Sequence, residues 1–194
     1  MTQWLNDPMT QSILDVSFLI MKTIEHRRHT MRVQPGQHLS QAGVTLARRL
    51  GQTLGPFARV VTSPVIRAYE TAIAMGFAVH DLRDELKMMP DAVEEVVPYP
   101  SPFAAWASAM RTNPLVQAYG NMLSEFMQGV LDEIDDGDSA LLISHGGIVE
   151  ASAIACYPDY DWASAGPELS YCEGVQMVFV GAQCTAVTML RHQI

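Results

Sequence analysis

The sequence predicts an α/β fold, a three-layer α/β/α sandwich with a mostly parallel sheet. Two observations carry that expectation. Strand-like apolar runs alternate with segments of helical apolar spacing, in the order β-α-β-α, a helical insertion, β-α, then β-β. The run "SALLIS" is apolar almost throughout, as strands covered on both faces are. A length of 194 residues suits one domain with a sizeable core, and 48% hydrophobic against 17% charged residues is a globular balance.

The elements follow in order. Residues 1–20 have no clear period and contain Asn6, Asp7 and Pro8, so they read as an N-terminal extension before a single domain over 21–194. "MKTIEHRRHT" opens as the first strand, and "QPGQHLS" is a loop with Pro35 and Gly36. "SQAGVTLARRLGQTLG" is a helix: Ser40 is a good N-cap, and Val44, Ala47, Leu50 and Leu54 recur at helical spacing. "FARVVTS" is a short buried strand. "SPVIRAYETAIAMG" is a second helix, with Ser63 as cap, Pro64 at its first position and Gly76 as its stop.

A helical insertion spans about 85–134. Its start, "DELKMMPDAVEEVVPYPSPF", is irregular and proline-punctuated, equally a functional loop and a plain connection. Two helices follow, "FAAWASAMRTN" and one capped by Asn113 with Pro114 at its start. "DDGD" turns into the apolar strand, which runs through a glycine turn into the helix "IVEASAIAC". Two strands close the chain as a hairpin around Gly181–Gln183.

Charge and cysteine usage set outer bounds. The net charge of −9 argues against a nucleic-acid or anionic-membrane partner, but not against a small anion held in a local basic pocket. Cys156, Cys172 and Cys184 are odd in number without a CxxC, and read as free thiols. The apolar run near Ile13–Met21 is interrupted and too short to span a bilayer, and no Lys or Arg precedes it. The expectation is a cytoplasmic protein without a signal peptide. Nucleotide-binding and serine-hydrolase signatures are absent.

Ligands in open α/β sheets sit outside the carboxyl ends of the strands. Three such ends carry notable groups: Arg28, His29 and Arg32; Ser63, Pro64 and Arg67; and Ser144, His145, Gly146 and Gly147. If those strands are neighbours, three arginines and two histidines share one pocket. That arrangement suits a phosphoryl group and the charge it develops during transfer. A neutral histidine is a nucleophile towards phosphorus, and the arginines supply the positive charge, so no metal or cofactor is called for. His26 and His29 do not make a metal pair, because strand residues three apart point to opposite faces. His38, His80 and His192 carry no functional context.

"RRHTMR", "TSPVIRAYETA" and "ISHGG", in this order, resemble the histidine phosphatase superfamily, also called phosphoglycerate mutase-like. The likeness covers roughly residues 21–155 and extends to the connecting helix "LSQAGVTLARRLG". It implies His29 as nucleophile, His145 as second histidine, and Arg28, Arg32 and Arg67 as phosphate-binding residues. Two departures stand out. Thr30 replaces the usual glycine, where it is expected to narrow the approach to the phosphate and offers a hydroxyl to the ligand. The usual acid segment reads "ELKMMPD", which leaves Glu94, Glu95 or Asp91 as proton donor, with Glu94 preferred. Such a donor adds about 10²–10⁴-fold. The implied function is a metal-independent phosphatase acting through a phosphohistidine, on a phosphomonoester or a phosphohistidine, in a small substrate or a phosphoprotein. A cofactor-dependent phosphoglycerate mutase-type phosphotransferase and a non-catalytic phosphate-binding protein remain open alternatives.

Overall fold

The computed structural model describes residues 21–192. Six strands form one sheet: β1 (Met21–Arg28), β2 (Arg59–Thr62), β3 (Asp81–Leu82), β4 (Ser139–Ser144), β5 (Gly174–Val180) and β6 (Gln183–Leu190). Their order is β3-β2-β4-β1-β5-β6. The pairs from β3 to β1 are parallel, whereas β1–β5 and β5–β6 are antiparallel. The sheet is therefore mostly parallel with an antiparallel hairpin at one side.

Six helices accompany it among the described residues: α1 (Gln41–Gly51), α2 (Ile66–Met75), α3 (Asp91–Val96), α4 (Phe103–Thr112), α5 (Pro114–Asp132) and α6 (Ile148–Cys156). Side chains alternate across a strand, and β4 shows the consequence. Leu141 and Ile143 pack with Ala47 of α1 and with Ala68, Ala72 and Met75 of α2. Ala140 and Leu142 join the other cluster, with Trp106 of α4, Leu123 and Met127 of α5, and Ile148 and Ile154 of α6. Helices thus cover both faces, which explains why "SALLIS" lacks a polar face.

Local chemistry accounts for most boundaries. The Ser40 hydroxyl accepts the Gly43 N–H at the start of α1, and the Asn113 side chain accepts from Leu115 and Val116 ahead of Pro114. Ser63 does not cap α2. The helix begins at Ile66 after Val65, and the Ser63 hydroxyl accepts the Val65 N–H while facing the histidines. The stretch read as irregular holds a 3₁₀ turn at Asp84–Leu86 and the short α3. The N-terminal extension lies outside the described residues. No helix among the described residues is long and apolar enough to cross a membrane.

Candidate active site

The parallel register builds the site. β4 lies between β1 and β2, with Arg28 level with Ser144 and Thr62 level with Ile143. The three strands therefore end together. The ladder runs one residue further, with the His29 N–H on Ser144 O at 2.9 Å and the Ser63 N–H on Ile143 O at 2.9 Å. His29, Ser63 and His145 leave the sheet at one edge, where Arg67 enters from the first turn of α2. Arg28, His29, Arg32, Arg67, His145 and Glu94 all line one cleft of about 240 Å³. Glu95 and Asp91 are not among its lining residues. A larger groove of about 800 Å³ beside α1 and α2 holds neither His29 nor His145.

Hydrogen bonds fix the state of both rings. His29 Nδ1 lies 2.6 Å from the Thr30 carbonyl oxygen, which only accepts, so Nδ1 carries the proton. Nε2 is left as a lone pair, and Arg67 Nε–H donates to it at 3.0 Å. The same guanidinium donates from Nη2 to His145 Nδ1 at 3.1 Å. An arginine only donates, so His145 carries its proton on Nε2, which donates to the Ser63 hydroxyl at 2.9 Å. The ring centroids stand 5.1 Å apart, edge to face.

Electrostatics keep both rings neutral. Burial, reinforced by Arg67, Arg28 and Arg32, pushes His29 down to about 3 against the opposing Thr30 carbonyl. Burial and the neighbouring His29, Arg67 and Arg28 push His145 down to about 2. Burial, then the Arg32 and Arg28 charges, lowers Arg67 from its ordinary value. Such a site is short of negative charge, and an anion relieves it.

The arginines are held in place. Arg28 Nη1 donates to Leu169 O at 2.8 Å, and its guanidinium lies 4.5 Å from the Tyr171 ring centre and 5.1 Å from that of Tyr99. Arg32 donates to Gly36 O at 2.6 Å. Arg67 Nη1 donates to the Gln37 side chain. His26 is a satisfied core histidine: Ser144 Oγ lies 2.6 Å from its Nε2 and Ser152 Oγ 2.9 Å from its Nδ1. The described residues contain no group of His, Cys, Asp and Glu arranged to hold a metal ion.

Thr30 behaves differently from expectation. Its hydroxyl donates to Gly43 O at 3.2 Å and its N–H to Thr71 Oγ1 at 3.1 Å, so it ties β1 to α1 and α2 and stays out of the cleft. Ser63 is among the strand-end groups marked in the sequence, but its hold on His145 is not legible there, nor are the parts of Tyr171 and Glu150. Ser63 holds His145, and Tyr171 stacks on Arg28. Glu150 is fully buried; its carboxylate accepts Gly147 N–H at 2.7 Å and Leu169 N–H at 2.9 Å. It joins the His145 turn to the loop that grips Arg28. Gly147 and Glu150 have capping-box spacing, a signal present in the sequence.

No protein-family model matches the chain, and no curated protein matches it. Solved structures do. A phosphoglycerate mutase from Bacillus anthracis str. Sterne aligns with a TM-score of 0.63 at 17% identity, over 88% of this chain and 93% of its own. A phosphoserine phosphatase from Entamoeba histolytica aligns with a TM-score of 0.62 at 15% identity, over 89% and 98%. A mycobacterial glucosyl-3-phosphoglycerate phosphatase aligns with a TM-score of 0.58 at 18% identity, over 87% and 97%. At these identities the likeness is one of fold: the chain has the fold of phosphoglycerate mutase and of these phosphatases over nearly nine-tenths of its length.

Proposed function

We propose that the protein is a metal-independent phosphatase that works through a phosphohistidine on His29. One observation carries the reading: a single guanidinium, Arg67, bridges the lone pairs of His29 Nε2 and His145 Nδ1 inside a cleft lined by two more arginines. A neutral imidazole beside converging guanidinium groups is the arrangement that phosphoryl transfer to a histidine calls for. His29 Nε2 attacks phosphorus as the ester P–O bond breaks, and Arg28, Arg32 and Arg67 hold the equatorial oxygens. Glu94, on the cleft wall, gives its proton to the leaving oxygen. Water then attacks the phosphohistidine and returns a proton to Glu94. The N–P bond breaks, phosphate leaves and His29 is neutral again. The Thr30 carbonyl keeps the proton on Nδ1 throughout.

The phosphoryl donor is a phosphomonoester or a phosphohistidine, in a small molecule or a phosphoprotein. The fold neighbours named as phosphatases support the reading. The test is hydrolysis of p-nitrophenyl phosphate in EDTA by the protein and by His29→Ala. Turnover that survives EDTA and disappears in the variant is expected. No turnover above the variant would leave a phosphate-binding protein on an enzyme fold.

A further inference from the structure

We propose that this cleft accepts phosphomonoesters whose leaving group carries no carboxylate: esters of uncharged alcohols and phenols. The proposal deepens the phosphatase reading and rests on it. It also separates this chain from neighbours whose names specify phosphoglycerate or phosphoserine.

The argument is the distribution of charge along the cleft. All three arginines line the cleft beside His29, and Arg67 touches its ring. Each is also held by contacts of its own: Arg28 by Leu169 O and two tyrosine rings, Arg32 by Gly36 O, and Arg67 by both histidines. The phosphoryl oxygens take up this charge. Around the rest of the cleft stand Gln34, Met88, Met89, Glu94, Tyr99 and Tyr171. None of these is a cation. Burial pushes the Tyr99 hydroxyl up to about 12, so it is neutral at pH 7. Lys87 is next in sequence to Met88 but does not line the cleft.

A carboxylate two or three bonds from the ester oxygen therefore finds no cation on this wall and meets the thioether of Met88, which is 55% exposed. Nothing there replaces the water that it loses. A hydroxyl or an apolar carbon has no such penalty. An apolar group gains Met88 and the tyrosine edges.

The experiment uses a matched pair. Glycerol 3-phosphate and 3-phosphoglycerate share a three-carbon phosphate ester and differ in a carboxylate. Each is tested as a competitor of p-nitrophenyl phosphate hydrolysis by the full chain. Glycerol 3-phosphate is expected to compete at least roughly tenfold more tightly. Gln34→Lys, at an exposed rim position, is expected to narrow that gap by placing a cation on the wall. Equal or tighter competition by 3-phosphoglycerate overturns the proposal and leaves the phosphatase reading intact. Failure of both compounds to compete overturns it as well, as does a gap that Gln34→Lys leaves unchanged. Absence of His29-dependent hydrolysis would instead remove the phosphatase reading, and this proposal with it.

Discussion

Replacing Arg67 with lysine isolates the geometry from the charge. Arg67 reaches His29 Nε2 with Nε at 3.0 Å and His145 Nδ1 with Nη2 at 3.1 Å, two donors set in one rigid plane. A lysine keeps the positive charge but ends in one nitrogen, which cannot hold both positions. On a bound phosphoryl group the variant loses at least one charge-assisted hydrogen bond, worth about 1.5–3 kcal/mol. At about 1.4 kcal/mol per factor of ten, kcat/KM falls by roughly 10–150-fold. The residue is only partly buried in the first turn of α2, so folding should be little affected. The assay is steady-state hydrolysis of p-nitrophenyl phosphate, with circular dichroism as the folding control. A folded Arg67→Lys within about threefold of the parent would refute the bridging role, because charge alone would then suffice.

Four further outcomes follow from named contacts. Glu94→Gln is expected to slow an alkyl phosphate by about 10²–10⁴-fold and p-nitrophenyl phosphate far less, since only the poor leaving group needs the proton; equal losses on both would remove Glu94 as the acid. Binding of vanadate or phosphate draws Arg67 off His145 Nδ1 and favours a proton there, so calorimetry in buffers of different ionisation enthalpy should show proton uptake; identical heats would contradict this. His26, His29 and His145 are held at about 3, 3 and 2, below their unfolded value of about 6.5. Below pH 6.5 the unfolded chain binds the extra protons, so stability present above that pH is lost on acidification, by up to about 1.4 kcal/mol per unit for each ring. Urea unfolding midpoints that do not change between pH 7 and pH 5 would contradict it. Glu150→Gln keeps the shape of the clip but weakens its hold on the Gly147 and Leu169 N–H groups, so KM should rise through Arg28 with a smaller effect on kcat; a pure stability loss with unchanged KM would make Glu150 structural only.

Much of the site was legible because its residues sit at strand ends. The condition left open in the sequence was adjacency, and the order β2-β4-β1 supplies it. β3 is two residues at the sheet edge, too short for any pattern to mark it. α3 is little more than one turn between Pro90 and Pro98, so proline dominated the local signal. Ser63 has the right type for a cap, yet tertiary contact with His145 claims its hydroxyl. Tyr171 and Leu169 come from a loop without periodicity, and only the folded chain brings them to Arg28. Thr30 follows the nucleophile in sequence, yet its side chain turns away from the ligand side. Its side chain is fully buried against Gly43 on the other side.

The most direct test of the central claim is to trap the intermediate. The protein is mixed with a phosphomonoester, quenched in base, where a phosphohistidine survives, and mapped by mass spectrometry. The account predicts one phosphoryl group on His29, formed and consumed at rates that match turnover, labile to acid and absent from His29→Ala. Turnover without a phosphoenzyme, or undiminished turnover in His29→Ala, would contradict it.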